Sequence, residues 1–185
     1  METLPDYLGP NLDLVFVGIN PGLHSAQRGH YFANLRNRFW QAFNAAKMTP
    51  VPLTPDTDST CLKYSIGMTD VVKRPTASMS DLKPVEFTEG AVLLQAKLLE
   101  CQPLVVCFNG VTGYRHYAKQ DSKKAVANSG LQMVTIGRSK VWVLPSTSPA
   151  NAAVSLNHIV NGMRELKQFI RDLKNWETSQ QMLNR

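Results

Sequence analysis

The chain has 185 residues, 43% of them hydrophobic, which is enough for one globular domain with a single core. Lysine and arginine outnumber aspartate and glutamate by 20 to 14, a net charge of +6 that suits a polyanionic partner without identifying one. The three cysteines lack the spacing of a disulfide framework, a zinc site or an iron–sulfur cluster, and no apolar run reaches the roughly 20 residues that a membrane span requires.

The first predicted element is a buried strand over residues 12–19, which ends abruptly in a turn over residues 18–22. The run is short, rich in β-branched and aromatic residues and bounded by turn residues, which favours a strand over a helix. Residues 23–35 show no steady apolar period, so we expect an ordered loop there. The aromatic residues of the next segment have helical spacing and predict a helix over residues 37–47.

The middle of the chain begins with residues 54–60, which are polar and are predicted to be exposed. Residues 63–72 then return towards the core. Apolar residues that recur at three and four positions predict a helix over residues 84–101, with the apolar face in the core. Residues 104–108 are almost wholly apolar, as in a strand that is covered on both faces.

The last third of the chain begins with a short predicted helix over residues 111–118 and an exposed basic segment over residues 119–130. Two strands, residues 131–136 and 140–144, follow at hairpin spacing. After a loop over residues 145–151, an amphipathic helix closes the chain; its apolar face comprises Leu156, Ile159, Val160, Met163, Leu166, Ile170 and Leu173.

Strands that alternate with helices predict an α/β fold, here a three-layer α/β/α sandwich with a small, mainly parallel central sheet of four or five strands. We expect one domain over residues 1–185, with its core at about residues 12–175. In such sheets the ligands bind beyond the carboxyl ends of the strands, which is where the 18–22 turn lies.

Two loops carry candidate chemistry. The 18–22 turn places Asn20 at the lip of the sheet, but it lacks the glycine and lysine pattern of a phosphate loop and the three glycines of a dinucleotide site. Alternatively, it is an ordinary strand-end turn in which Asn20 bonds its own backbone. The 145–151 loop is rich in hydroxyl groups and could hold a phosphate, or it could simply cap the following helix.

Six segments, taken together and in order, closely resemble the mismatch-specific uracil-DNA and thymine-DNA glycosylase family. The resemblance extends over residues 12–175. The segments are Gly18-Ile19-Asn20-Pro21-Gly22-Leu23, Gly29-His30, Asn37-Arg38-Phe39-Trp40, Gly67-Met68-Thr69-Asp70, Phe108-Asn109-Gly110 and Val143-Leu144-Pro145-Ser146-Thr147-Ser148.

This resemblance implies a DNA repair enzyme that flips out uracil and cleaves its bond to deoxyribose, with thymine and other deaminated or damaged bases as further candidates. No lysine stands at the nucleophile position, so we expect hydrolysis that leaves an intact abasic site, without a cofactor or metal. The expected partner is double-stranded DNA with uracil or G mismatches, with single-stranded DNA as a further candidate. The alternative is a catalytically weak protein that binds mismatched or flipped bases.

The resemblance also implies a monomer without membrane association. Residues 1–6 lack a basic and then apolar leader, so we expect an intracellular protein. In a prokaryote it would lie in the cytoplasm at the nucleoid, and in a eukaryote in the nucleus.

Asn20 matches the family residue that holds the attacking water. The side chain has no accessible protonation equilibrium near neutral pH, so it would position water rather than act as a base. The resemblance places Ile19, Gly22 and Ser25 in the base-binding pocket and Phe32 at the position that stacks on the flipped base.

Asp70 stands where relatives carry lysine or asparagine. A carboxylate facing the pocket could orient or activate the water, or stabilise positive charge on the sugar, which makes Asp70 the second catalytic candidate. The alternative is a capping or surface aspartate.

The 145–151 loop departs from the family as well, because relatives carry a bulky or charged wedge there. Ala150 is a poor wedge, so weak recognition of the opposite guanine is expected. The DNA-binding candidates of the loop are Ser146, Ser148, Pro149, Ala150 and Asn151, and the candidates for contact with the DNA backbone are Arg38, Lys63, Lys73, Arg74 and Lys124.

Overall fold

A five-stranded sheet runs through the centre of the computed structural model, which describes residues 3–119 and 128–183. Its strands are β1 (Leu14–Gly18), β2 (Ile66–Asp70), β3 (Val105–Asn109), β4 (Gly130–Ile136) and β5 (Ser139–Leu144). Their spatial order is β2-β1-β3-β5-β4. Strands β2, β1, β3 and β5 run parallel to one another. Strand β4 pairs antiparallel with β5, as the predicted hairpin requires.

Helices pack on both faces of this sheet. They are α1 (Leu23–Arg28), α2 (Phe39–Ala45), α3 (Pro84–Cys101), α4 (Val111–Ala118) and α5 (Leu156–Leu183), with 3₁₀ helices at Pro55–Tyr64 and Met79–Asp81. Alternate residues of β1 divide the core. Phe16 packs in a cluster with residues of α2 and α5, and Val17 packs in a second cluster with residues of α3 and α4. The α/β sandwich with a mainly parallel sheet is therefore confirmed.

The helix over residues 84–101 is confirmed as α3, and Phe87, Leu94 and Leu98 on its apolar face are buried. Most of the predicted basic segment over residues 119–130, including Lys124, lies outside the described residues.

Two predictions of local structure are wrong. Residues 23–28 form α1 rather than a loop, and this helix ends at Gly29, whose φ of 74° is easily adopted without a Cβ. Residues 54–60 are not a simple exposed segment, because most of them belong to the 3₁₀ helix Pro55–Tyr64, in which Asp58 is only 1% exposed.

Within the described residues, no helix is long and apolar enough to cross a bilayer. The same part of the chain contains no cluster of histidine, cysteine, aspartate or glutamate that could hold a metal ion.

The carboxyl ends of the parallel strands meet at one edge of the sheet. Gly18 at the end of β1 pairs in register with Asp70 at the end of β2, and Asn109 of β3 pairs with Leu144 of β5. The 18–22 turn and the 145–151 loop therefore leave the sheet from the same edge, because parallel strands bring their carboxyl ends together.

Candidate active site

The side-chain amide of Asn20 is held in one orientation just beyond β1. Its Nδ2 lies 2.9 Å from the carbonyl oxygen of Arg74, 3.2 Å from that of Pro21 and 2.8 Å from Thr76 Oγ1. Two of these partners can only accept, so the nitrogen must face them. Among the described residues no donor reaches Oδ1. The half-buried amide therefore presents its oxygen to an additional donor such as water.

Backbone hydrogen bonds join the 18–22 turn to the loop that anchors Asn20. The Thr76 N–H donates to Pro21 O at 3.1 Å, and the Leu23 N–H donates to Thr76 O at 3.1 Å. Gly22 pairs with Thr76 as an isolated parallel bridge, and a Cβ added at Gly22 would meet nothing within 4 Å. The space beside the Gly22 Cα is therefore open.

Ile19 is partly buried and packs against α4. A Cβ added at Gly113 of α4 would lie 3.0 Å from Ile19 Cγ1, and Ile19 packs against the core cluster between the sheet, α3 and α4. Its side chain therefore supports the turn from that layer.

Phe32 stacks on Phe39, with ring centroids 3.9 Å apart and planes 16° from parallel. Phe39 is fully buried, so one face of the half-buried Phe32 ring has a firm support. Phe32 has a φ of 53°, a left-handed conformation that is costly for a bulky residue. The surrounding contacts must therefore hold it in place. A flat aromatic ring supported in this way can receive a flat base on its other face.

Ser25 contributes to this support. Its side chain is nearly buried, and its Oγ accepts a hydrogen bond from the Ala33 N–H at 3.0 Å. The Ser25 carbonyl also accepts from the His30 N–H at 3.2 Å. The hydroxyl that was predicted to line the pocket thus fixes the loop that carries Phe32.

Asp58 is a functional candidate that the sequence analysis missed. Its buried carboxylate accepts hydrogen bonds from the Tyr31 N–H at 2.7 Å and the Tyr7 hydroxyl at 3.0 Å, and His30 Nδ1 lies 3.2 Å away. The bond to Tyr31 fixes the backbone directly before Phe32. No local pattern signals this role, since Tyr31 and Tyr7 lie 27 and 51 residues away.

Asp70 packs directly over the backbone of Gly18. A Cβ at Gly18 would lie 2.2 Å from Asp70 Oδ1, so any side chain at position 18 would displace the Asp70 carboxyl group. Asp70 is 5% exposed, and its Oδ2 is buried and has no hydrogen-bond partner within the described chain. Burial raises the pKa of Asp70 from 3.8 to about 7; Lys73 opposes this rise and Asp6 adds to it. Asp70 is therefore partly protonated near neutral pH.

The hydroxyl groups of the 145–151 loop shape the loop itself. Ser146 Oγ accepts from the Ser148 N–H at 3.2 Å, and Ser148 Oγ accepts from the Ala150 N–H at 3.3 Å. The Asn151 amide nitrogen donates to Ser146 O at 3.0 Å. Among the described residues neither serine hydroxyl donates its hydrogen to an acceptor, whereas the Asn151 amide nitrogen is hydrogen-bonded inside the loop.

Asn109 joins the same loop to the end of β3. Its Nδ2 donates to Thr147 Oγ1 at 2.9 Å, and its Oδ1 accepts from the Thr147 N–H at 3.3 Å. Thr147 is fully buried, so this pair anchors the base of the loop to the sheet.

Arg38 is hydrogen-bonded to the 145–151 loop and the residues that follow it, and is not a free surface cation. Its guanidinium donates to the carbonyl oxygens of Val154, of Asn151 at 2.9 Å and of Ser148 at 3.2 Å. Its backbone N–H donates to Thr147 O at 3.1 Å. These bonds indicate a structural role in place of the predicted contact with the DNA backbone.

Two other basic candidates are also paired within the protein. Lys73 Nζ lies 2.7 Å from Asp6 Oδ1, and Arg74 makes a two-pronged contact with Glu86 at 2.6 and 2.9 Å. Lys63 is exposed. The described cations near the site are therefore mostly committed to the fold.

Residues 5–174 match the family model of the uracil DNA glycosylase superfamily. The chain belongs to the uracil DNA glycosylase superfamily. Its fold is also similar to the solution NMR structure of a candidate uracil DNA glycosylase from Methanosarcina acetivorans, with a TM-score of 0.59 and 22% identity. That match covers 94% of this chain and 98% of the other.

Members of this superfamily are DNA glycosylases, so DNA is the partner that the membership supports. In such an enzyme the reacting atom is a sugar carbon, and a site needs a held water and a surface for the displaced base. In this superfamily member the oxygen of Asn20 and the ring of Phe32 have the chemistry for those two tasks. Ser25, Asp58 and Arg38 hold the loops around them.

Proposed function

We propose that the chain removes uracil from mismatched DNA by hydrolysis, as a monofunctional member of the mismatch-specific family. In this reaction the N1–C1′ bond breaks, uracil leaves with the electron pair, and the oxygen of water bonds to C1′. The anchored amide of Asn20 carries the proposal, because its oxygen is free to accept a hydrogen bond from that water.

Asn20 positions the water without removing its proton, which passes to solvent or to the departing base. Catalysis then depends on stabilising the uracil anion and the positively charged sugar. Asp70 pairs in register with Gly18, which lies two residues before Asn20. The ionised fraction of Asp70 therefore supplies negative charge near this end of β1. We propose that this charge favours the positive sugar.

The proposed substrate range is broad. Flipping costs least for a mispaired base, which favours U·G over U·A. However, Ala150 is small and the Asn151 amide nitrogen is already bonded, so little in this loop reads the opposite guanine. We expect weak discrimination among U·G, U·A and single-stranded uracil. Thymine, hypoxanthine, xanthine and ethenocytosine opposite guanine complete the panel of candidate lesions.

The deciding experiment measures single-turnover release of uracil from a U·G duplex. We expect Asn20→Ala to lower the rate by about 100-fold or more, as removal of one positioned polar group from an active site does. Asn175→Ala, an exposed amide in α5, is the matched control and should leave the rate unchanged.

DNA binding by the same variants separates the proposal from its alternative. A glycosylase with Asn20→Ala binds uracil-containing DNA but releases little base. A wild-type protein that binds the duplex and releases no uracil would instead be a mismatch-binding protein. Borohydride reduction should trap no DNA on the wild-type protein, and a trapped complex would contradict the monofunctional mechanism.

A further inference from the structure

We infer that Leu35 enters the base stack when the protein binds duplex DNA, an inference that rests on the proposed function. Leu35 is 95% exposed, at the tip of a turn between Phe32 and Arg38. The turn thus extends from the residue proposed to stack on the flipped base to the residue that supports the 145–151 loop.

Three hydrogen bonds keep the turn rigid. The Asn37 N–H donates to Asn34 O at 2.8 Å, and the Arg36 N–H donates to Asn34 Oδ1 at 2.9 Å. Asn37 Oδ1 accepts from the Phe39 N–H at 3.0 Å and so joins the turn to α2. An apolar side chain on a rigid turn is presented to the DNA without a large loss of backbone freedom on binding.

The turn is also fixed relative to the other loop of the site. The Arg38 N–H bonds Thr147 O, and its guanidinium bonds three carbonyl groups of residues 148–154. Where relatives carry the side chain that fills the gap in the base stack, the 145–151 loop has only the small Ala150 and Asn151, whose amide nitrogen is already bonded to Ser146 O. Leu35 is the larger apolar side chain, and it is already exposed.

A flipped nucleotide leaves a gap between its stacked neighbours. An apolar side chain that fills this gap removes its own surface from water and replaces part of the lost stacking. Leucine cannot hydrogen-bond to a base edge, so it would serve U·G and U·A duplexes equally. Arg36 stands next to it, exposed, and no ion pair to its guanidinium occurs within the described chain, so it is available for an adjacent phosphate.

The test compares Leu35→Ala with Met133→Ala, which truncates a fully exposed apolar side chain on β4. We expect Leu35→Ala to slow single-turnover release of uracil from U·G and U·A duplexes by about tenfold or more, and release from single-stranded DNA by less than about twofold. Met133→Ala should match the wild type on all three. Unchanged duplex rates, or an equal loss on single strands, would overturn the inference.

A second readout does not depend on base release. A duplex that carries 2′-fluoro-2′-deoxyuridine beside 2-aminopurine resists cleavage, and the fluorescence of 2-aminopurine rises when it loses its stacking. At saturating protein the wild type and Met133→Ala should raise this fluorescence, because Leu35 keeps the flipped base from returning to the stack and replaces its stacking only in part; with Leu35→Ala the base returns and the fluorescence should not rise. If the wild type raises it through Leu35 yet releases no uracil, the proposed function fails and the role of Leu35 stands. An equal rise with Leu35→Ala overturns that role.

Discussion

The buried carboxyl group of Asp70 should make the stability of the fold depend on pH. Asp70 binds its proton more tightly in the folded chain, where burial raises its pKa to about 7, than in the unfolded chain, where 3.8 is the ordinary value. The stabilisation by the protonated form is therefore fully present below about pH 4 and is lost as pH rises through about 7. The whole rise in pKa corresponds to about 4 kcal/mol.

Asp70→Asn keeps the shape of the side chain and removes this dependence. We expect the free energy of unfolding of the variant, relative to that of the wild type, to increase by roughly 3 kcal/mol between about pH 5 and about pH 8. Urea denaturation at several pH values in this interval measures the difference. Asp172→Asn, which removes an exposed carboxylate, is the control and should show little change.

The same variant tests the proposed part of Asp70 in catalysis. If the ionised carboxylate favours the positively charged sugar, single-turnover release of uracil should rise with pH through about 7 in the wild type and be flatter in Asp70→Asn. A stability difference that is constant with pH would refute the burial argument. Equal rates and equal pH profiles for the two proteins would refute the catalytic role.

Two further substitutions test how the loops of the site are held. Asp58→Asn turns an amide donor towards the donors around this buried position, so we expect its free energy of unfolding in urea to fall by about 2 kcal/mol or more. The control Asp56→Asn, at an exposed position, should lose less, and equal losses would contradict this. Arg38→Met removes the donors to three carbonyl groups, so the backbone amide hydrogens of residues 146–154 should exchange faster. Unchanged amide protection would show that Arg38 does not hold the loop.

The elements that are predicted correctly are those whose pattern is local. In α3 the buried Phe87, Leu94 and Leu98 follow the helical period, and the chain reveals that period without any partner. The hairpin of β4 and β5 is likewise set by strand-forming residues on either side of a short turn at Gly137, whose φ is 57°. Such patterns report which face of an element is buried, which is why they predict the layers of the fold.

Local pattern fails where short elements depend on distant partners. The six residues of α1 are too few to show a period, and tertiary contacts such as Ser25 to Ala33 hold the helix in place. Asp58 lies in a polar segment whose composition predicts exposure. It is buried because Tyr7 and Tyr31, which are far away in the sequence, supply its hydrogen-bond donors.

The features of the candidate site divide in the same way, into those that a local pattern predicts and those that depend on distant partners. That Asn20 follows a buried strand, and that Phe32 and Asp70 stand at positions of a glycosylase-like pattern, can be read from the chain alone. The orientation of the Asn20 amide cannot, because its acceptors Arg74 and Thr76 lie 54 and 56 residues further along the chain. The desolvation of Asp70 likewise arises only on folding. Hydrogen-bond partners and burial are properties of residues brought together by folding, and a linear pattern does not record them.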